Sequence, residues 1–88
     1  MDIKIDMNNG RMDTSDYRLL GNMLAREMRA ANKAAKKKEW ARCLDISYPI
    51  AALQKLIMLQ GEIPIIIYDW DNDAAYKTLT LAGETWEI

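Results

Sequence analysis

The spacing of hydrophobic positions changes along the chain, and each change marks an element. From Met1 to Met7 the pattern alternates, with Ile3, Ile5 and Met7 on one side and Asp2, Lys4 and Asp6 on the other. That is the period of a half-buried strand. Asn8, Asn9 and Gly10 follow, residue types that accept a tight turn. Asp13, Thr14 and Ser15 are then candidate helix caps, and Asp16 adds negative charge to the first turn. Beyond them the period becomes helical. Tyr17, Leu20, Leu24, Met28, Ala31 and Ala35 fall on one stripe, flanked by Met23, Ala30 and Ala34. Arg18, Asn22, Arg26, Arg29, Lys33 and Lys36 fall opposite.

The phase fails after Lys36. On a straight helix Trp40, Cys43 and Leu44 would lie on the basic side, so the pattern predicts a stop or bend near Lys36–Lys38 and a short second segment. A third helix is expected from "DISYPIAALQKLIMLQGE", with Asp45 or Ser47 as its cap and Pro49 in its first turn. Ile50, Leu53, Leu56, Ile57 and Leu59 supply its apolar face, and Gly61 stands where a terminating glycine belongs.

Ile63–Tyr68 is apolar at every position except Pro64, which predicts an interior strand. Tyr76–Leu81 alternates, with Tyr76, Thr78 and Thr80 against Lys77, Leu79 and Leu81. Ala82–Glu84 is a turn, and Thr85–Ile88 a last strand showing Trp86 and Ile88 on one face. A three-residue loop at Asp71–Asp73, or its five-residue equivalent, opposes Tyr68 to Tyr76, Ile66 to Thr78, Ile65 to Leu79 and Ile63 to Leu81. This register matches like with like across the strands, whereas a slip of one residue would swap the faces. The expected fold is α+β, a single domain over residues 1–88. Two or three helices pack on one face of a small antiparallel sheet, in the order β-α-(α)-α-β-β-β.

Composition narrows the chemistry. The chain has 88 residues and net charge −1, with one cysteine and no histidine. A domain of this size buries roughly 60–65% of its unfolded surface, so support from a partner or a second copy is expected. Missing histidine removes Cys/His zinc sites, Ser-His-Asp and Cys-His triads and a histidine pH switch. Cys43 reads as a small buried hydrophobe rather than a nucleophile. No phosphate loop, dinucleotide fingerprint or nucleophile elbow is present. The expected protein is not an enzyme and has no catalytic residue and no cofactor. A lone thiol, no signal-like start and no apolar run near the ~20 residues of a membrane span fit a cytoplasmic protein with no membrane contact.

Asp69, Asp71 and Asp73 open like a calcium loop. The sixth position is however Ala74 rather than glycine, the twelfth is Thr80 rather than glutamate, and the flanks read as strands. No metal site is therefore expected. The three carboxylates read as a solvated hairpin tip or as a docking surface for a basic partner.

The charges are polarised. Residues 26–42 carry seven cations against two carboxylates, a net of +5, and residues 61–88 six carboxylates against one lysine, a net of −5. The basic stripe has three readings: a solvated face, a phosphate-binding face, or a surface for an acidic protein, including a second copy in a homodimer. The candidate partner-binding residues on it are Arg26, Arg29, Lys33, Lys36, Lys37 and Trp40. Asp69, Trp70, Asp71 and Asp73 form a second candidate set. Trp40 lies off the helical stripe and Trp70 beside the tip, so either can anchor an interface. In the alternative assignment Trp86 is core and Trp70 half-covers the sheet.

The segment from "ISYPIAALQKLIMLQGEIPIIIYDWDND" to "TWEI", about half the chain, resembles small accessory proteins of bacteriophages and prophages, which pair a leucine-rich helix with a "PIIIYDWD"-like strand. The resemblance implies a non-catalytic protein that binds a host or defence component in the bacterial cytoplasm, as anti-CRISPR and other host-takeover inhibitors do. It carries over no functional residue. The expected function is a small binding protein that occupies a partner protein's surface. The alternative is a nucleic-acid-binding regulator using the basic helix 26–42.

Overall fold

The computed structural model describes residues 5–6, 11–12, 14–72 and 75–88. Strands β1 (Ile5–Asp6) and β2 (Arg11–Met12) are followed by helices α1 (Thr14–Lys36) and α2 (Trp40–Leu59). Strand β3 (Ile65–Asp69), a 3-10 turn at Trp70–Asn72, β4 (Ala75–Leu81) and β5 (Glu84–Glu87) complete the chain. The class is α+β: two helices packed against a three-stranded antiparallel sheet of order β3-β4-β5. Of the expected first strand, Ile5–Asp6 pairs with Arg11–Met12 as a separate two-stranded ladder. Its remaining residues, the Asn8–Gly10 turn and the Asp13 cap lie outside the described residues.

α1 is the centre of the molecule. Its apolar stripe is buried as the period requires, with Leu20, Leu24 and Met28 wholly enclosed. One flank meets α2 and the other meets β4 and β5. Leu79 and Leu81 reach the same core from β4, and Ile50 and Ile57 reach it from α2. Gly21 lets the sheet come close, because a Cβ there would overlap the ring of Trp86. The indole Nε1 of Trp86 donates to Asn22 Oδ1 at 2.7 Å, which pins the ring over that glycine. Trp86 and Ile88 both pack on the core, as their shared face predicts.

The chain reverses where the sequence phase fails. Lys38 takes φ 58° just after α1. The Glu39 N–H reaches back to the Ala34 carbonyl at 2.9 Å, and the Lys38 N–H to the Ala35 carbonyl at 2.9 Å. These paired bonds are a Schellman termination, which normally places glycine in the left-handed position. α2 ends the same way, with Gly61 at φ 92° and with the Glu62 N–H on the Ile57 carbonyl and the Gly61 N–H on the Met58 carbonyl.

Three sequence expectations are corrected. Of the two or three helices expected there are two, and the correction is to the start of the second: α2 runs unbroken from Trp40, so Asp45 and Ser47 are interior rather than caps, and Pro49 is not in a first turn. Proline removes one helical N–H, but Pro49 lies on the solvent side, while Ile46 and Ile50 on either side of it both pack on the core. That shared anchoring holds the helix on both sides of the proline. Second, β3 is an edge strand rather than an interior one, although its sequence is apolar on both faces. Third, the hairpin register holds only near the tip. Tyr68 opposes Tyr76 as expected, and five residues separate the paired Asp69 and Ala75, the five-residue form of the loop. Beyond a bulge between Ile67 and Tyr68 the partners become Ile66 with Leu79 and Ile65 with Thr80. The unmatched residue on β4 is Lys77, which is exposed, while Tyr76 joins Leu79 and Leu81 on the inner side.

Candidate interaction surface

Asn32 explains where the bulge sits. Its Nδ2 donates to the Tyr76 carbonyl at 2.8 Å, and its Oδ1 accepts the Tyr76 N–H at 2.9 Å. One side chain from α1 thus satisfies both backbone groups of a strand residue. Unpaired and half-buried, those groups would each carry a desolvation penalty. The hold draws the hairpin tip against the helices at the place where the ladder shifts. No periodicity singles out Asn32, and sequence reasoning missed it.

The tip and the helical corner enclose a groove of about 190 Å³. Ala31, Asn32 and Ala35 of α1 form its floor, with Trp40, Cys43, Ser47 and Ile50 of α2 on one side and Tyr68 and Tyr76 on the other. Tyr68 packs against Tyr76 with ring centroids 5.3 Å apart, and against Trp70 at 5.6 Å, both tilted. Such spacing suits attractive aromatic contact. Burial, with Tyr68 and Cys43 nearby, pushes the Tyr76 phenol above its ordinary range. The Cys43 thiol is half-buried and donates to the Ala31 carbonyl at 3.7 Å.

The predicted site residues separate into groups. Trp40 lines this groove with Tyr68 and Tyr76 of the hairpin, whereas Asp69, Trp70 and Asp71 do not line it. Trp70 is 76% exposed, so it does not cover the sheet. Asp69 Oδ1 accepts the Asp71 N–H at 3.2 Å, which ties one carboxylate into the turn. Asp73 lies outside the described residues. Among the described residues no three His, Cys, Asp or Glu side chains gather as a metal-ligand set.

The basic residues do not form one continuous face. Residues 26–42 are two helices joined at a reversal, not a single basic helix. Arg29 is engaged with the sheet, donating from its guanidinium to the Glu87 carbonyl at 2.6 Å. Arg18 behaves likewise: it holds Glu84 on β5 through hydrogen bonds of 2.9 Å and 2.5 Å, which raise its pKa further. Arg26 borders a shallow apolar groove of about 320 Å³ with Met23, Pro49 and Leu53. Lys33 and Lys37 meet Arg42 across the α1–α2 corner, with Glu39 among them, around a depression of about 400 Å³. Lys36 lines a neighbouring depression with Asn32, Lys33 and Ala75.

Many large hydrophobic side chains are uncovered, and sequence reasoning did not foresee how many. On α2, Trp40, Leu44, Tyr48, Met58 and Leu59 are exposed, and so are Ile63 before β3 and Ile65 and Ile67 on it. The signal was in the sequence: the polar residues of α2 (Arg42, Asp45, Ser47, Gln54 and Lys55) do not gather on one stripe, and β3 is apolar or aromatic from Ile65 to Tyr68. No helix among the described residues is long and apolar enough to cross a membrane. No known protein family, curated protein or solved structure matches this chain.

Proposed function

We propose that this is a non-catalytic cytoplasmic binding protein that acts by occupying another protein's surface. The observation that supports this most is the set of large hydrophobic side chains left exposed on α2 and β3. Single exposed hydrophobics are ordinary, but many of them on two elements of a small domain mark interaction surface. Trp40, Tyr68 and Trp70 beside the groove are the residue types that concentrate binding energy. The resemblance of residues 46–88 to phage accessory proteins favours a host or defence component as the target, inhibited by steric occupation.

A second reading takes the corner formed by Lys33, Lys37 and Arg42 as a phosphate-binding site of a nucleic-acid regulator. It is supported by the convergence of three cations, and weakened by Glu39 among them and by the commitment of Arg29 to β5. One paired experiment tests both. The tagged wild type and a Trp40→Ser, Trp70→Ser variant are cross-linked in the same cells, and the captured proteins are compared. A protein held by the wild type and lost by the variant is the expected result; identical captures, or none, reject the surface reading. Gel shifts over a salt series give the other arm. A shift at low salt that weakens steeply as salt rises, and is lost on Lys33→Ala, Lys37→Ala, would replace the protein partner with nucleic acid.

A further inference from the structure

Resting on the reading of α2 and β3 as a binding surface, we propose that in the free protein its occupant is a second copy of this chain, which a foreign target displaces. The two copies are related by a two-fold axis, with β3 paired antiparallel to β3 and α2 packed against α2. Four observations carry this.

The first is the edge. β3 (IIIYD) presents an open side because the sheet order is β3-β4-β5. Natural edges are usually blunted by lysine, proline or an outward bulge. Within β3 there is no lysine and no proline, and its irregularity lies on the β4 side. Antiparallel pairing of a strand with itself is isologous, so one two-fold axis satisfies both copies and closes the assembly.

The second is the position of the helix. At 3.6 residues per turn, Trp40, Leu44, Ser47, Ala51 and Met58 lie within about 60° of one another on α2. Trp40 and Ser47 of this band line the groove that Tyr68 closes, so the N-terminal part of the band lies beside β3. An axis normal to the sheet at that edge extends the sheet to six strands. It also brings the two α2 bands together on the same side of it.

The third is charge. The charged residues of α2 are Arg42, Asp45 and Lys55, and Ile63–Tyr68 has none. Lys55 lies about 20° from Leu44, at the margin of the band rather than at its centre. A charge-poor centre with charge at its margin is the pattern of an interface core and its rim.

The fourth is area. A 20-residue helix is about 30 Å long. With the helix and sheet layers together about 20 Å deep, the face covers at most about 600 Å² when flat, the lower end of the roughly 600–1,000 Å² per partner of a standard interface.

The test is the mass of the full chain by light scattering over a wide concentration range, with two variants. The wild type is expected at twice its 10.1 kDa chain mass. Ile67→Lys places like charges opposite each other across the axis, and Leu44→Glu, Met58→Glu places charges in the α2 band. Both alter exposed side chains, so helical circular dichroism is expected to hold while the mass falls to that of one chain. A monomeric wild type overturns the proposal, as does a dimer that either variant leaves intact. The mass reports only self-association. A monomer that still captures a foreign protein, in a manner abolished by Leu44→Glu, Met58→Glu, keeps the surface reading and replaces its occupant; a monomer with no such capture removes both.

Discussion

The two helices are of similar length but differ in how well their sequence matches their surroundings. α1 divides its residues between an apolar stripe and a polar side, and the fold covers the first and exposes the second. Even its cations are used, since Arg18 and Arg29 reach past the stripe to hold β5. α2 makes no such division. Ile50 and Ile57 are buried against α1, while Leu44, Met58 and Leu59 stand in solvent on the other side. A helix that is hydrophobic all round belongs inside something larger. The same contrast separates β4, central and buried at Leu79 and Leu81, from the edge strand β3. Local pattern is answered within the chain by α1 and β4, and left half-answered by α2 and β3.

The largest test of that contrast compares two leucines. Leu24 of α1 is 0% exposed and Leu44 of α2 is 59% exposed. Leu24→Ala is expected to cost about 2–5 kcal/mol, the transfer and cavity terms of a filled core. Leu44→Ala, measured at concentrations where the chain is a monomer, is expected within about 0.5 kcal/mol of wild type. Denaturant melts of both give the answer directly. Comparable losses would mean that α2 is already covered in the monomer.

A middle-sized effect is expected at the contact that joins the well-matched helix to the groove. Asn32→Ala leaves the Tyr76 N–H and carbonyl without their partner, a loss of about 1–3 kcal/mol. Faster hydrogen exchange should concentrate at Tyr76 and its neighbours in the hairpin. Exchange that rises evenly through α1 instead would show that Asn32 supports the helix rather than the tip.

The smallest effect is a gain at the turn between the helices. Lys38 holds a left-handed backbone that glycine adopts without strain. Lys38→Gly is expected to stabilise by about 0.5–1 kcal/mol, since relief of the left-handed cost outweighs the extra freedom of the unfolded chain. A lower melting midpoint would mean that the lysine side chain contributes more at the corner than its backbone loses.

Much of this architecture was legible from spacing alone. The helical period of Tyr17–Ala35 named the core stripe, its failure after Lys36 named the reversal, and Tyr68 was matched to Tyr76. The register beyond the tip was not legible, because the bulge depends on Asn32, which lies 44 residues away in sequence from the strand residue it holds. The helix start at Trp40 was obscured by Pro49, whose effect is offset by core contacts on both sides of it. Of the candidate site, Trp40 and Trp70 were visible as residues out of phase with their elements. The groove that Trp40 shares with Tyr68 and Tyr76 was not, nor was the dispersal of the basic stripe into β5 contacts and a three-cation corner.

The sequence by itself determined which faces are apolar and where the chain turns. Those properties are local, set by backbone preference and side-chain type. Only the tertiary structure decided that β3 lies at an edge, that α2 continues through a proline, and that an apolar band beside an open strand is left uncovered. A period of two or of 3.6 states that a face must be buried. What buries it is decided by contacts between distant parts of the chain, and for α2 and β3 this chain supplies one side of the cover.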